Sequence, residues 1–150
     1  MAIIYVMTYN ELAIEWPHYL PTCVEKGYPE IIEEGLSYWV MVSSEGEPMA
    51  YTCSKDMGEW IFVGNTYVRK EYRGEKIHSL LLAYRNISLG SCPKVAIVNP
   101  LDDTPMEQLE GLVMGLGYTK VTGPDDVADI MDEIIYWHME CPGTTLWRLG

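Results

Sequence analysis

Asn65-Thr66-Tyr67-Val68-Arg69-Lys70-Glu71-Tyr72-Arg73-Gly74-Glu75-Lys76-Ile77-His78-Ser79-Leu80-Leu81 is a strand that passes through a basic turn into a helix. The strand, Glu59 to Val68, is rich in apolar and aromatic side chains. After the turn, Ile77, Leu80, Leu81 and Tyr84 fall at i, i+3, i+4 and i+7, which predicts a helix with one apolar face. Four of the chain's ten bases, Arg69, Lys70, Arg73 and Lys76, sit within eight residues, although the whole chain carries a net charge of −12. They stand where a helix N-terminus presents unpaired amides and the positive end of its dipole, and Gly74 allows close backbone approach. Together they make a seat for a phosphate or pyrophosphate. Taken alone, the same residues also describe a solvated turn whose charges offset Glu71 and Glu75.

Upstream, residues 3–7 read as a first strand, and Thr8-Tyr9-Asn10-Glu11 as a capping box that opens a helix. Pro17 and Pro21 break that helix, and a second helical piece runs from Pro29 to Glu34 and stops at Gly35. Tyr38 to Val42, Met49 to Cys53 and Glu59 to Val68 are strands separated by the short turns Glu45–Pro48 and Lys55–Gly58, which predicts an antiparallel meander. Downstream, Val95 to Val98 is an apolar run between Pro93 and Pro100, the pattern of a strand buried on both faces. Thr104-Pro105-Met106-Glu107 reads as a capping box with proline at the first helical position, with Met106, Leu109, Val113 and Leu116 on one face and Gly117 at the end. In the last third, Tyr118 to Thr122 reads as a strand and Asp125 to Glu133 as an acidic helix. Ile134 to Met139 and Thr144 to Leu149 then read as strands, paired as a hairpin through Cys141-Pro142-Gly143. The expected fold is α/β (α+β), one domain over residues 1–150, built on a mixed sheet with a parallel pair near its centre.

Composition narrows the function. Hydrophobic residues make up 48% and charged residues 21%, so the chain folds rather than staying disordered. Twenty-two acids against ten bases disfavour a nucleic-acid partner, since phosphate neutralisation needs Lys and Arg, and favour cationic small molecules or basic proteins. Cys23, Cys53, Cys92 and Cys141 show no C-x-x-C spacing, and the three histidines are far apart. Neither a metal site nor a disulfide framework is expected. No apolar run reaches the ~18 residues of a membrane span. A cytoplasmic protein with free thiols is the expectation.

The quoted stretch resembles the coenzyme-A motif of the GNAT N-acetyltransferase superfamily, approximately V-x-P-x-Y-R-G-x-G-I-G-x-x-L-L. Val68, Tyr72, Arg73, Gly74, Ile77, Leu80 and Leu81 match it. Leu112-Val113-Met114-Gly115-Leu116-Gly117-Tyr118 is similar to the family's L-Y-x-x-x-G-F helix ending. The resemblance implies a mostly antiparallel sheet with a central splayed parallel pair and helices on both faces, and acetyl-CoA as co-substrate without a metal. It implies that the backbone at Tyr67 and Val68 holds the pantetheine arm. The pyrophosphate would rest on the amides from Arg73 through Gly74, Glu75, Lys76 and Ile77 to His78, and Asn99 would orient the cofactor. The thioester would meet an amine where the strands at Val68 and Val95 diverge. The acceptor is then a small-molecule or protein amine of cationic character, and a homodimer stays open.

The departures shape the chemistry. Lys76 and His78 stand in place of two glycines, and Lys70 in place of the proline. Val113 occupies the position where many members carry a tyrosine that protonates the leaving thiolate. Glu59 at the strand start, Tyr118 after the helix ending and His138 near the C-terminus are the catalytic candidates. Each has a plain alternative: a solvated strand start, a core aromatic and a structural histidine. The acidic run Asp125, Asp126, Asp129, Asp132 and Glu133 reads as a solvated helix face or as a dock for a basic partner. Two functions follow: an acyl-CoA-dependent N-acyltransferase, or a catalytically inactive acidic relative that blocks a basic partner protein.

Overall fold

The computed structural model describes residues 2–16, 35–74, 76–100 and 104–150. The expected helix Pro29–Glu34, the prolines 17 and 21, and the candidate Glu75 lie outside the described residues. In chain order the elements are β1 (Ile3–Thr8), α1 (Tyr9–Glu15), β2 (Ser37–Val42), β3 (Pro48–Asp56), β4 (Ile61–Val68), α2 (Ile77–Ser88), β5 (Lys94–Val98), α3 (Met106–Gly115), β6 (Thr119–Val121), α4 (Glu133–Met139) and β7 (Thr145–Leu149). Short 3-10 turns lie at Lys70–Tyr72 and Pro124–Val127. The strands form a seven-stranded sheet in the order β1-β2-β3-β4-β5-β7-β6. β4 and β5 are its parallel pair, and β1–β2, β2–β3, β5–β7 and β6–β7 are antiparallel. The mixed, mostly antiparallel sheet expected from the sequence is thus present.

The chain divides into two compact units, Met1–Lys55 with Asn65–Gly90, and Asp56–Gly64 with Ser91–Gly150. In the first, α1 starts as the sequence predicts. Glu11 N donates to Thr8 Oγ1 at 3.1 Å and Thr8 N to Glu11 Oε1 at 3.0 Å, so the capping box satisfies two otherwise unpaired amides. Trp39, Met41, Ala50, Val68, Ile77 and Leu81 form a buried cluster that seats α2 on the strands. The face of α2 differs from the expected one: Ile77, Leu81, Leu82 and Arg85 are buried, while Leu80 and Tyr84 are 61% and 48% exposed. The apolar stripe is rotated by about one residue, and a charged side chain occupies its last buried place.

In the second unit, β5 is buried along its length, as its continuous apolar run predicts. Four expectations need correction here. The box at Thr104 does not form, because Pro105 itself takes the N-cap position with extended φ −58°, ψ 139° and no side-chain cap. The acidic segment is a short 3-10 turn, Pro124–Val127, rather than a helix to Glu133. Ile134–Met139, read as a strand from its β-branched and aromatic side chains, is α4. Asp132 Oδ1 accepts from Ile135 N at 2.9 Å, and this N-cap fixes a helix whose buried residues are Tyr136 and Met139. Cys141-Pro142-Gly143 therefore joins α4 to β7 and is not a hairpin turn. Among the described residues no helix is long and apolar enough to cross a membrane.

Candidate functional site

The basic turn is built from its own backbone. Tyr72 N donates to Arg69 O at 2.9 Å and Arg73 N to Lys70 O at 3.3 Å, closing one 3-10 turn. Arg69 ties it to β3: its amide donates to Met49 O at 3.0 Å, and its Nη1 donates to Pro48 O at 3.1 Å. Its Nε pairs with Glu71 at 3.1 Å and its Nη1 lies 3.7 Å from Glu47. Arg69 thus holds the turn in place. Lys70, Arg73 and Lys76 are the exposed cations. Arg73 Nε donates to Val68 O at 3.0 Å and its guanidinium lies 5.9 Å from the Tyr67 ring. The structure therefore gathers Tyr67, Val68 and Arg73 at the point where β4 ends.

Gly74 has φ +89°, and Lys76 adopts φ 62°, ψ 15° as the N-cap of α2. Left-handed backbone is natural for glycine and costs an L-residue about 1–2 kcal/mol. Lys76 therefore holds a left-handed conformation that glycine adopts freely, at the expense of strain. Leu80 N bonds to Lys76 O at 3.1 Å, so the amides before it, Ile77, His78 and Ser79, belong to the first turn and have no partner within the helix. Relieving the strain with Lys76→Gly is expected to raise stability by about 0.5 kcal/mol, the greater freedom of the unfolded glycine offsetting part of the gain. Urea unfolding midpoints check this, and a loss above about 1 kcal/mol would contradict the strain argument.

His78 is half-buried on α2, and its pKa is lowered from 6.5 to about 4, chiefly by burial and secondly by the Arg85 charge. At neutral pH its ring is uncharged, so it adds hydrogen-bonding capacity rather than charge to the loop. Inside β4, Asn65 has φ 54°, a left-handed residue within a strand and the mark of a bulge-type irregularity. It is 8% exposed; its Nδ2 donates to Cys53 Sγ at 3.7 Å, while its buried Oδ1 has no hydrogen-bond partner among the described residues. Asparagine is one of the few side chains that tolerates this backbone, and that preference is the sequence signal that marks it. In the second unit, β4 and β5 pair over three residues, Ile61–Val63 with Lys94–Ala96, out of the eight in β4.

The acid–base candidates stand on separate elements of the second unit. Glu59 is exposed in the turn before β4. Tyr118 is 5% exposed between α3 and β6, its amide on Val113 O at 3.1 Å. His138 is exposed on α4, with Nδ1 2.7 Å from Ile134 O. A carbonyl can only accept, so Nδ1 carries the proton and Nε2 is the basic nitrogen of the neutral ring. Asn99 is half-buried after β5, and Val113 is a buried core residue of α3. The acidic run is engaged locally: Asp126 Oδ2 accepts from Thr122 N and Oγ1 at 2.7 and 2.8 Å. Asp129 makes a two-point pair with Arg148 at 2.6 and 2.7 Å, and Asp132 caps α4. These hydrogen bonds, first from the Thr122 backbone to Asp126 and from the Arg148 side chain to Asp129, hold both carboxyls below their usual pKa.

No protein-family model matches the sequence, and a search among curated proteins finds no match. Solved structures do match. The ribosomal-protein-S18-alanine N-acetyltransferase of Escherichia coli aligns at TM-score 0.65 and 13% identity, covering 99% of this chain and 93% of that one. An acetyltransferase of the GNAT family from Staphylococcus aureus Mu50 aligns at TM-score 0.57 and 11% identity, covering 99% and 98%. YhhK of E. coli, in a solution structure bound to coenzyme A, aligns at TM-score 0.54 and 14% identity, covering 82% and 94%. The chain has the fold of the GNAT acetyltransferases.

Proposed function

We propose that this protein is an acyl-CoA-dependent N-acyltransferase, moving an acetyl group from acetyl-CoA to the primary amine of a cationic small molecule or protein by direct attack in a ternary complex. The observation that carries the reading is the loop before α2. Within the GNAT fold it combines Lys70, Arg73 and Lys76 as exposed cations with a left-handed Lys76. The first-turn amides of α2 lie beside that charge, which suits a pyrophosphate. Arg73, Gly74, Lys76, Ile77 and His78 would hold that group, with Glu75 as the loop's remaining residue; the backbone at Tyr67 and Val68 would hold the pantetheine arm, and Asn99 would orient it. Acetyl-CoA supplies the activated acyl group when bound.

The protein's own contribution is mostly positioning, which can lower a barrier by about 7–11 kcal/mol without elaborate acid–base machinery. The amine must be neutral to attack. Its proton passes to a base, for which His138 Nε2 and Glu59 are the candidates. As the carbon–nitrogen bond forms and the carbon–sulfur bond breaks, the thiolate leaves. A thiolate is a far better leaving group than an amide anion and can depart unaided, consistent with valine at position 113; where an acid assists instead, Tyr118 is the candidate. Calorimetric titration with acetyl-CoA tests the cofactor half of the proposal, with millimolar or tighter binding expected. Folded protein giving no heat at millimolar ligand overturns it. Release of free thiol with a panel of polyamines and basic peptides tests the transfer half.

The inactive-relative reading is favoured by Val113, which has no proton to give. It predicts a stable complex with a basic protein in the absence of acetyl-CoA and no thiol release with any amine.

A further inference from the structure

We propose that Arg85, Thr52 and Thr66 form a directed hydrogen-bond relay that makes the Thr66 hydroxyl a charge-assisted donor to a carbonyl oxygen of the acyl-pantetheine chain, a placement that rests on the acyl-CoA reading above. Arg85 lies on α2 and is 2% exposed; Thr52 on β3 is fully buried. Arg85 Nη1 donates to Thr52 Oγ1 at 2.6 Å, and Thr52 Oγ1 lies 2.8 Å from Thr66 Oγ1 on β4. A guanidinium has donors and no acceptor, so the Thr52 oxygen accepts at the first link. Accepting from a cation makes Thr52 the stronger donor of the threonine pair, and the proton order that uses this sends the Thr52 hydrogen to Thr66. The hydrogen of Thr66 then points away from Thr52.

The relay ends at its least buried member. Arg85 and Thr52 are buried, and Thr66 is half-buried, two residues before Val68. Nε and Nη2 of Arg85 donate to Asn86 Oδ1 at 3.2 and 3.0 Å, which fixes the guanidinium plane that aims Nη1. A buried cation is costly to desolvate, and here its polarisation is passed to the hydroxyl of a half-buried residue. A neutral carbonyl oxygen is the fitting acceptor, since the anionic part of the ligand has its own seat at the start of α2. Thr66 is the contacting group, and Arg85 and Thr52 are positioning residues.

The test is calorimetric titration of CoA and of acetyl-CoA against the wild type, Thr66→Val, Thr66→Ser, Arg85→Met, Arg85→Lys and the Thr66→Val/Arg85→Met double variant, each first shown to be folded by urea unfolding. Thr66→Val is expected to weaken acetyl-CoA about five- to tenfold. Thr66→Ser should stay within about twofold of wild type, and Arg85→Lys should bind more tightly than Arg85→Met. Loss against acetyl-CoA alone assigns the thioester carbonyl, and equal loss against CoA assigns a pantetheine amide carbonyl. In the double variant, Arg85→Met should add little once the hydroxyl is gone, whereas a merely structural arginine would cost the same in either background. Unchanged binding by Thr66→Val, serine as weak as valine, or full additivity would each overturn the relay. Thr66→Ala replaces Thr66→Val if the latter does not fold. A wild type that binds neither ligand removes the acyl-CoA reading and the relay with it, while wild-type binding that Thr66→Val leaves intact removes the relay alone.

Discussion

Leu81→Ala is expected to lower stability by about 4 kcal/mol, and Leu80→Ala, one residue earlier in the same motif, by less than about 0.5 kcal/mol. The two leucines differ in surroundings rather than in chemistry. Leu81 is 0% exposed and packs with Trp39, Met41, Ala50, Val68 and Ile77; Leu80 is 61% exposed. Truncating a fully buried leucine removes its transfer free energy and leaves a void that a strand-and-helix cluster relaxes around only partly, so the cost falls toward the upper end of the usual range. Urea unfolding of both variants beside the wild type measures the difference, provided the slope is unchanged. Equal losses would mean that the register of α2 on the sheet is off by one position. The result bears on function because Ile77 and Leu81 are what hold the first turn of α2 against β2, β3 and β4. An anchor lost there loosens the amides proposed to seat the pyrophosphate.

How far the sequence could be read depends on the distance over which each signal acts. Local signals were legible. Thr8 and Glu11 are three residues apart and form their box. The apolar run Val95–Val98 is a buried strand, and the strand–turn–helix from β4 to α2 lies where its pattern places it. Signals that compete locally were misread. Ile134 to Met139 carries strand-type side chains, but β propensity mostly reports a fit to a half-buried pleated surface, and Asp132 supplies a cap that the propensity argument ignores. At Thr104 the proline falls on the N-cap, so the pattern of a capping box is present without its geometry.

Long-range features were not legible at all. Arg85 lies in the last turn of α2, where nothing in the neighbouring sequence marks it as buried. Its burial follows from Thr52, 33 residues earlier in the chain, and no local window contains that partner. The left-handed backbone at Lys76 is the opposite case: the sequence shows a lysine where the motif has glycine, and only the dihedral angles show that this lysine takes a glycine-like conformation.

Stability is expected to fall by up to about 3 kcal/mol as pH drops from 6.5 to 4, with His78 as the source. In the unfolded chain a histidine titrates near 6.5, while in the fold His78 titrates at about 4 because burial, and secondarily Arg85, disfavour the charged ring. Between those values the unfolded state takes up a proton that the folded state refuses, so protonation favours unfolding. Above pH 6.5 neither state is protonated and the contribution is flat; below about 4 both are, and it is flat again. The size follows from the separation of the two pKa values at about 1.4 kcal/mol per pH unit. Asp126 and Asp129, whose carboxyls titrate below their usual range, act in the same direction but only at lower pH, so the windows separate. His78→Gln removes the titration and should flatten the curve between pH 6.5 and 4 while leaving stability at pH 7 within about 1 kcal/mol. Arg85→Met removes the smaller cause and should raise the His78 pKa, read by NMR, without returning it to 6.5. A wild-type curve that is already flat over that window, or a His78 resonance titrating near 6.5, would mean that the ring is hydrated. The start of α2 would then carry a switchable charge instead of a neutral donor, and the binding of any anion there would strengthen as pH falls through 6.5 rather than hold steady until near 4.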